Sequence, residues 1–361
     1  MAVIEQKITD NFAAYNADCM EVLPTLKSES VGFSIYSPPF PELYQYSSDP
    51  RDMSNCANYN EGMEQYQFVV NEIARLLKPG RLTAVHCMDL KNGTMYQRDF
   101  PGDIIRAHEK AGLNFFCRIT VWKEPLSVAR RTRMRGLTHK MITADSSVCR
   151  VVGGDYILIF RKTGDNPEPI THEFGFKTYA GTDQPPPALV HRFRDFKGHQ
   201  KENLLSHYIW RRYASCVWMD IRTGRLLPHR NARETDEEKH VCPLQLDVIE
   251  RCLSLWTNPG DIVLTPFLGV GSEAYMALRM GRKAIGVELK PTYYHQALQN
   301  LASAMEGVGS DNDELPLEFA DQPDDEDDEG EDSADDQHGD VESCGLCGSP
   351  NTDDHECKGG I

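Results

Sequence analysis

Residues 262–272 read Ile-Val-Leu-Thr-Pro-Phe-Leu-Gly-Val-Gly-Ser, and no other stretch constrains the fold of this chain as strongly. A short apolar run that breaks into Gly-x-Gly and then into a helical pattern from Glu273 predicts a strand, a tight turn and a helix. Such a unit lets a ligand approach bare backbone at the carboxyl end of the strand. Its neighbours follow the same rhythm. Strands are expected at 31–36, 82–87, 115–122, 156–160 and 284–287, and helices at 63–77, 104–110, 244–256, 273–280 and 292–305. Alternation of this kind argues for an α/β fold with a mostly parallel sheet and helices on both faces.

The rhythm lapses between Lys162 and Glu238, where Pro, Gly, His and Arg accumulate. This segment reads as an irregular insertion. The organisation expected is therefore residues 1–162, an inserted region over 163–238, a second half over 239–308, an acidic disordered linker over 309–342, and a tail over 343–361. Residues 311–361 hold 20 acidic residues and one basic residue, which leaves 37 Lys and Arg against 35 Asp and Glu in the first 310. The net charge of −17 thus belongs to the tail, and the body is close to neutral. Within the body, positive charge gathers at Arg130, Arg131, Arg133, Arg135 and Lys140, and again between Arg192 and Arg233. Patches like these suit phosphate contacts even when net charge does not. Apolar runs are too short to span a bilayer, and no early basic-then-apolar stretch is present, so a cytoplasmic location is expected. Cys87, Cys117, Cys149 and Cys252 sit singly in apolar segments and read as small hydrophobes rather than a disulfide framework.

Two places carry chemistry. In the first, Glu288 ends the strand that follows the Gly269-Val270-Gly271 turn, at the distance where an acid would bind ribose hydroxyls. The third, phosphate-binding glycine is replaced by Ser272, which favours a nucleoside cofactor without pyrophosphate, S-adenosylmethionine, over NAD. The second is Ser37-Pro38-Pro39-Phe40 at the end of an apolar run. An exocyclic amine on a base is a poor nucleophile because its lone pair is delocalised into the ring. Acceptors on both amine hydrogens, here the Ser37 hydroxyl and the Pro38 carbonyl, draw that nitrogen toward a tetrahedral, reactive geometry. Two prolines stiffen the loop, and Phe40 offers a face for a flipped base. On its own the proline loop is equally well a turn closing a strand, whereas the glycine turn taken with Glu288 favours a nucleoside-containing cofactor over a plain strand–helix turn.

Together they resemble the β-class, circularly permuted amino-group DNA methyltransferases, in which the catalytic half precedes the cofactor half and a target-recognition region lies between. The resemblance covers roughly residues 12–305 and takes in Asn16-Ala17-Asp18-Cys19, Leu76-Leu77-Lys78-Pro79-Gly80 and Lys239 to Leu246. It implies a Rossmann-like, S-adenosylmethionine-dependent fold acting on double-stranded DNA, of bacterial or phage origin, with a restriction partner and the role in host marking, phage protection or regulation left open. It implies catalytic and base-binding roles for Ser37, Pro38, Pro39 and Phe40. Phe267, Gly269, Gly271, Ser272 and Glu288 would bind cofactor, with Asp18, His240 and Pro243 contributing. Thr265 departs from the family, which usually has Asp there facing the cofactor's ammonium. Ser-Pro-Pro is the common form among N4-cytosine enzymes and Asp-Pro-Pro among N6-adenine enzymes, so cytosine N4 is favoured and adenine N6 is the alternative. C5-cytosine methylation needs a cysteine nucleophile, typically as Pro-Cys, and the only such adjacency is reversed, Cys242-Pro243. Methylation of RNA or protein, and non-catalytic DNA binding, are the remaining readings.

The run Ala129 to Lys140 stays open between a functional reading, contact with backbone phosphates or cover for the flipped base, and a solvated loop. Arg211 and Arg212 are candidates for reading guanine edges or phosphates, whereas Tyr208, Trp210, Tyr213 and Trp218 are more in keeping with a small core of the insertion. At the end, Cys344-x2-Cys347-x7-His355-x-Cys357 offers four soft ligands for one structural zinc, beside the alternative of a reduced, unstructured tail.

Overall fold

The structure, a computed structural model, describes residues 3–40, 49, 51–92, 96–132 (backbone only for 129–132), 136–229, 232 and 243–307. These residues fall within one compact unit. Among them the chain runs β1 (Glu5–Ile8), β2 (Phe12–Asn16), α1 (Cys19–Val22), β3 (Val31–Tyr36), α2 (Tyr59–Leu76) and β4 (Leu77–Cys87). A small hairpin, β5 (Leu90–Asn92) and β6 (Tyr96–Arg98), leads into α3 (Phe100–Lys110), β7 (Leu113–Val121), α4 (Pro125–Thr132), α5 (His139–Ala144) and β8 (Asp155–Lys162). Then come α6 (Pro187–Phe193), α7 (Leu204–Tyr213) and β9 (Val217–Trp218). The last part holds α8 (Leu246–Trp256), β10 (Ile262–Thr265), α9 (Ser272–Arg279), β11 (Lys283–Glu288) and α10 (Pro291–Glu306).

Nine strands form one sheet in the order β1-β2-β11-β10-β3-β4-β8-β7-β9. The run from β2 to β4 is parallel throughout, β7 pairs parallel with β9, and β8 runs antiparallel between β4 and β7. Side chains alternate across this sheet with a period of two. Phe33, Ile35, Ile157, Ile159 and Val263 face a core closed by α8, α9 and α10. Tyr36, Leu158, Phe160 and Leu264 face a second core closed by α1, α2 and α3. The central strands β3, β4, β8 and β10 are therefore largely buried on both faces, which is why they read as nearly unbroken apolar runs.

Helix starts were harder to read than helix faces. The helix expected at 63–77 begins at Tyr59, because Asn58 caps it by accepting the Glu61 N–H at 3.1 Å. The one expected at 104–110 begins at Phe100, capped by Asp99 accepting from the Gly102 N–H at 2.8 Å.

The central junction places the site. β10 and β3 lie side by side although about 230 residues separate them, and the buried Ser34 hydroxyl donates to the Leu264 carbonyl at 3.0 Å. Loops leaving the two strands at their carboxyl ends are thereby neighbours, at the crevice where open α/β sheets take ligands. The segment over 163–238 is more regular than its composition suggests. Tyr179, Phe193, Leu205, Ile209 and Tyr213 make a small core of their own, Trp218 joins the main one, and Trp210 lies exposed. Arg251 of α8, fully buried, donates to Asp220 at 2.8 Å and to the Ala180 carbonyl at 2.7 Å, with the rings of Tyr179, Tyr213 and Trp218 about it. Arg222 and Arg225, part of the second basic run, are spent on Asp247 and Glu250 of α8. They fasten this segment to α8 and are not directed at a phosphate.

Candidate active site

A cavity of roughly 690 Å³ opens at the carboxyl ends of the parallel strands, well inside the ~300–1,000 Å³ common for small-molecule sites. Ser37, Pro38, Pro39 and Phe40 line it from one side, and Phe267, Gly269, Ser272 and Glu288 from the other, with Asp18 and Pro243 also in the wall. The two turns, distant in sequence, share one space, and the Tyr36 and Phe267 rings pack at 5.8 Å between them. Neither Thr265 nor Gly271 lines the cavity. The Thr265 hydroxyl, buried, donates instead to the Phe267 carbonyl at 3.2 Å. His240 lies outside the described residues, as do the side chains of Arg130, Arg131, Arg133 and Arg135. So do Cys344, Cys347, His355 and Cys357; among the described residues no His, Cys, Asp and Glu cluster could hold a metal ion. Arg212 is engaged by Asp183 and stacks on Tyr208 at 3.6 Å, while Arg211 is exposed beside it.

The glycine turn is shaped by backbone rather than by side chains. Gly269 and Gly271 take φ of 53° and 93°, left-handed values that other residues adopt at a cost. Beyond the Gly269 Cα there is open space. The Glu288 carboxylate holds this turn in place, accepting the Gly269 N–H at 2.7 Å and the Lys290 N–H at 2.9 Å. Withdrawal from water pushes the Glu288 carboxyl up to about 7, with the two N–H donors pulling the other way. A second acid, Glu273 at the start of α9, also lines the cavity, and burial pushes it up to about 8.

The proline loop has partners that its sequence does not announce. Ser37 Oγ lies 2.8 Å from His86 Nδ1, and His86 Nε2 lies 2.7 Å from Asp155 Oδ2. Lys123 Nζ closes the chain with an ion pair to the same oxygen. Burial works against the Asp155 carboxylate, but Lys123 and His86 outweigh it and hold its pKa well below the ordinary carboxylate range. All four residues line the cavity. His86 sits near the end of β4, Lys123 just past β7, and Asp155 at the start of β8, paired with Val121 of β7. Gly154 makes that approach possible, since a Cβ there would meet the Val121 carbonyl at 2.7 Å. The one sequence signal was a histidine and an acid at the ends of otherwise apolar strands.

Three kinds of comparison bear on the whole. The described fold is similar to that of TTHA0409 from Thermus thermophilus, with a TM-score of 0.53 and 21% identity over 83% of this chain and 97% of that one. TTHA0409 has also been solved with S-adenosyl-L-methionine. Among curated proteins, the chain is 25% identical to the type II methyltransferase M.BamHI of Bacillus amyloliquefaciens over 78% of its own length, yet it spans only 55% of that relative. It is 24% identical to M.BglII of Bacillus subtilis over 84% of its length and 71% of the relative. A family model described as DNA methylase, of the N6/N4 type, matches residues 31–299 and so takes in both turns and the strands that carry them. With most of its length inside that match, the chain belongs to the N6/N4 DNA methylase family.

Proposed function

We propose that this protein transfers a methyl group from S-adenosylmethionine to an exocyclic amino nitrogen of a base in double-stranded DNA, with cytosine N4 favoured over adenine N6. The observation that carries the reading is the single cavity lined by both the Ser37–Phe40 turn and the Phe267–Glu288 wall. The cofactor fits the residues present. The open space over Gly269 accepts a flat group close to the backbone, and Glu288 sits where ribose hydroxyls would donate to it. The half-neutral acid there and the buried Glu273 suit a cationic ligand better than a pyrophosphate. S-adenosylmethionine supplies the electrophilic methyl group. The protein supplies position: Ser37 Oγ and the Pro38 carbonyl accept from the two amine hydrogens, which localises the nitrogen lone pair toward the methyl donor. Pro38 and Pro39 fix φ at two of the four positions of the Ser37–Phe40 turn, which holds this geometry before the base arrives. Preference for cytosine rests on serine standing where the adenine enzymes more often carry aspartate.

Incubating the protein with tritiated S-adenosylmethionine and duplex DNA, RNA or protein, followed by nucleoside mass spectrometry, tests all of this at once. N4-methylcytosine in duplex DNA supports the full proposal. N6-methyladenine keeps the reaction and overturns the base preference, and label confined to RNA or protein overturns the substrate.

A further inference from the structure

A serine in the proline loop raises a difficulty that an aspartate would not. A carboxylate offers only lone pairs to an amine, whereas a hydroxyl carries a hydrogen of its own. If that hydrogen points at the target nitrogen, it competes for the lone pair the reaction needs. The hydrogen must be drawn away. We propose that His86, held by Asp155 and Lys123, is a positioning residue that takes the Ser37 hydroxyl hydrogen and so makes Ser37 Oγ an obligate acceptor toward the target amine. The inference rests on the methyl-transfer reading above and adds to it the residue on which the serine depends.

The tautomer follows from the partners. Asp155 stands between Lys123 and His86, and a carboxylate so placed can only accept. His86 Nε2 therefore carries the ring hydrogen and donates it to Asp155 Oδ2 across 2.7 Å. In the neutral ring this leaves Nδ1 with its lone pair, aimed at Ser37 Oγ 2.8 Å away. The hydroxyl donates into that lone pair, and both lone pairs of Oγ are left for the cavity. The arrangement differs from a hydrolytic Ser-His-Asp array, because Lys123 already balances the Asp155 charge and Ser37 need not attack anything.

The same chain accounts for the proton that the reaction must shed. The nitrogen–methyl bond forms as the donor's sulfur–methyl bond breaks, with that electron pair staying on sulfur. The nitrogen is left with one surplus proton. It passes to Ser37 Oγ as the Ser37 hydrogen moves to His86 Nδ1, leaving an imidazolium between Ser37 and Asp155. His86 is partly exposed at 15% of its side chain, so the proton can leave to solvent between turnovers. No oxidant or further reactant is needed.

Two measurements test this. The first needs no activity: 15N-labelled histidine spectra of the full chain, with His86 identified by its loss in His86→Asn, should show a neutral ring with hydrogen on Nε2 and none on Nδ1. Hydrogen on Nδ1 in the neutral ring overturns the proposal even if the enzyme is active. The second compares kcat and calorimetric cofactor affinity for His86→Ala, Ser37→Ala, the double variant and His86→Asn. His86→Ala should lose about 100-fold in kcat, in the range of proton-handling groups, with cofactor Kd changed less than about threefold. Adding it to Ser37→Ala should cost less than about threefold more, because the two act as one unit. His86→Asn, whose amide oxygen can accept from Ser37, should recover about tenfold over His86→Ala. A further 100-fold loss in the double variant, or equal activity for His86→Asn and His86→Ala, would assign His86 a role apart from Ser37 and end the proposal. If the wild-type protein transfers no methyl group to any substrate while Nε2 carries the hydrogen, it is the methyl-transfer reading that fails.

Discussion

Binding of the cofactor should release protons, and the amount can be worked out from two carboxyl groups. Glu288 is held up to about 7 by withdrawal from water, so in the free protein at pH 7 about half of it is neutral. Ribose hydroxyls donate to the charged form and favour it, and a cationic ligand favours it further. Full ionisation on binding therefore releases about half a proton per site at pH 7. Below pH 7 the free acid is increasingly protonated, and each pH unit should weaken binding up to about tenfold, or ~1.4 kcal/mol. The sign is set by the raised pKa: affinity is lost as pH falls, not as it rises. Glu273, pushed up to about 8, is almost wholly neutral at pH 7 and would add up to about 0.9 proton if the ligand's charge ionises it as well. Titration calorimetry at pH 7 in buffers of different ionisation enthalpy measures the total directly. Glu288→Gln should remove about half a proton and weaken binding. Glu273→Gln should remove the remainder, if there is one. The cofactor's own α-amino group titrates near ~8 and is common to every variant, so differences between variants are free of it. A net release by Glu288→Gln unchanged from the wild-type value would refute the placement of ribose on this acid.

Other outcomes can be checked with less apparatus. Ser37→Ala should lower kcat by about 100-fold or more while cofactor Kd stays within about twofold, since the hydroxyl acts on the amine and not on the cofactor; equal loss of both would indicate misfolding. Arg81, fully buried, forks onto Asp261 at 2.9 and 3.0 Å and ties β4 to the lead-in of β10. Asp261→Ala leaves that guanidinium only the more exposed Glu168, at 3.5 Å, and should cost ~3–5 kcal/mol in denaturant unfolding; a loss under ~1 kcal/mol would show that Glu168 suffices as a partner. If the four soft ligands of the tail hold a structural zinc, purified protein should carry one equivalent by elemental analysis, and Cys344→Ser should remove it. Protein without zinc leaves that tail as a reduced, unliganded segment.

Much of the architecture was written in local backbone chemistry. A strand breaking into Gly269-Val270-Gly271 can take left-handed backbone at both glycines, as the strand–helix turn here does. The Ser37–Phe40 turn and the acid at Glu288 were legible for the same reason: each is a property of a few adjacent residues. The central strands, buried on both faces, showed as apolar runs, and the helices of the two flanking layers as apolar stripes. Charge was the weaker guide. Arg222 and Arg225 looked in sequence like Arg211, yet they fasten the inserted segment to Asp247 and Glu250, because a side chain's partner is set by packing and not by its neighbours along the chain.

What only the tertiary structure decided is the company Ser37 keeps. His86, Lys123 and Asp155 are each unremarked in sequence, a lone residue at or just past the end of an apolar strand. They meet because β8 runs antiparallel between β4 and β7, which brings the start of one strand to the ends of two others. Strand order and direction follow from which apolar faces bury each other across the whole chain, and no window of adjacent residues contains that information. The chain's sequence by itself singled out two turns as candidates for chemistry; the sheet decided that they share a cavity, and that a histidine stands behind the serine.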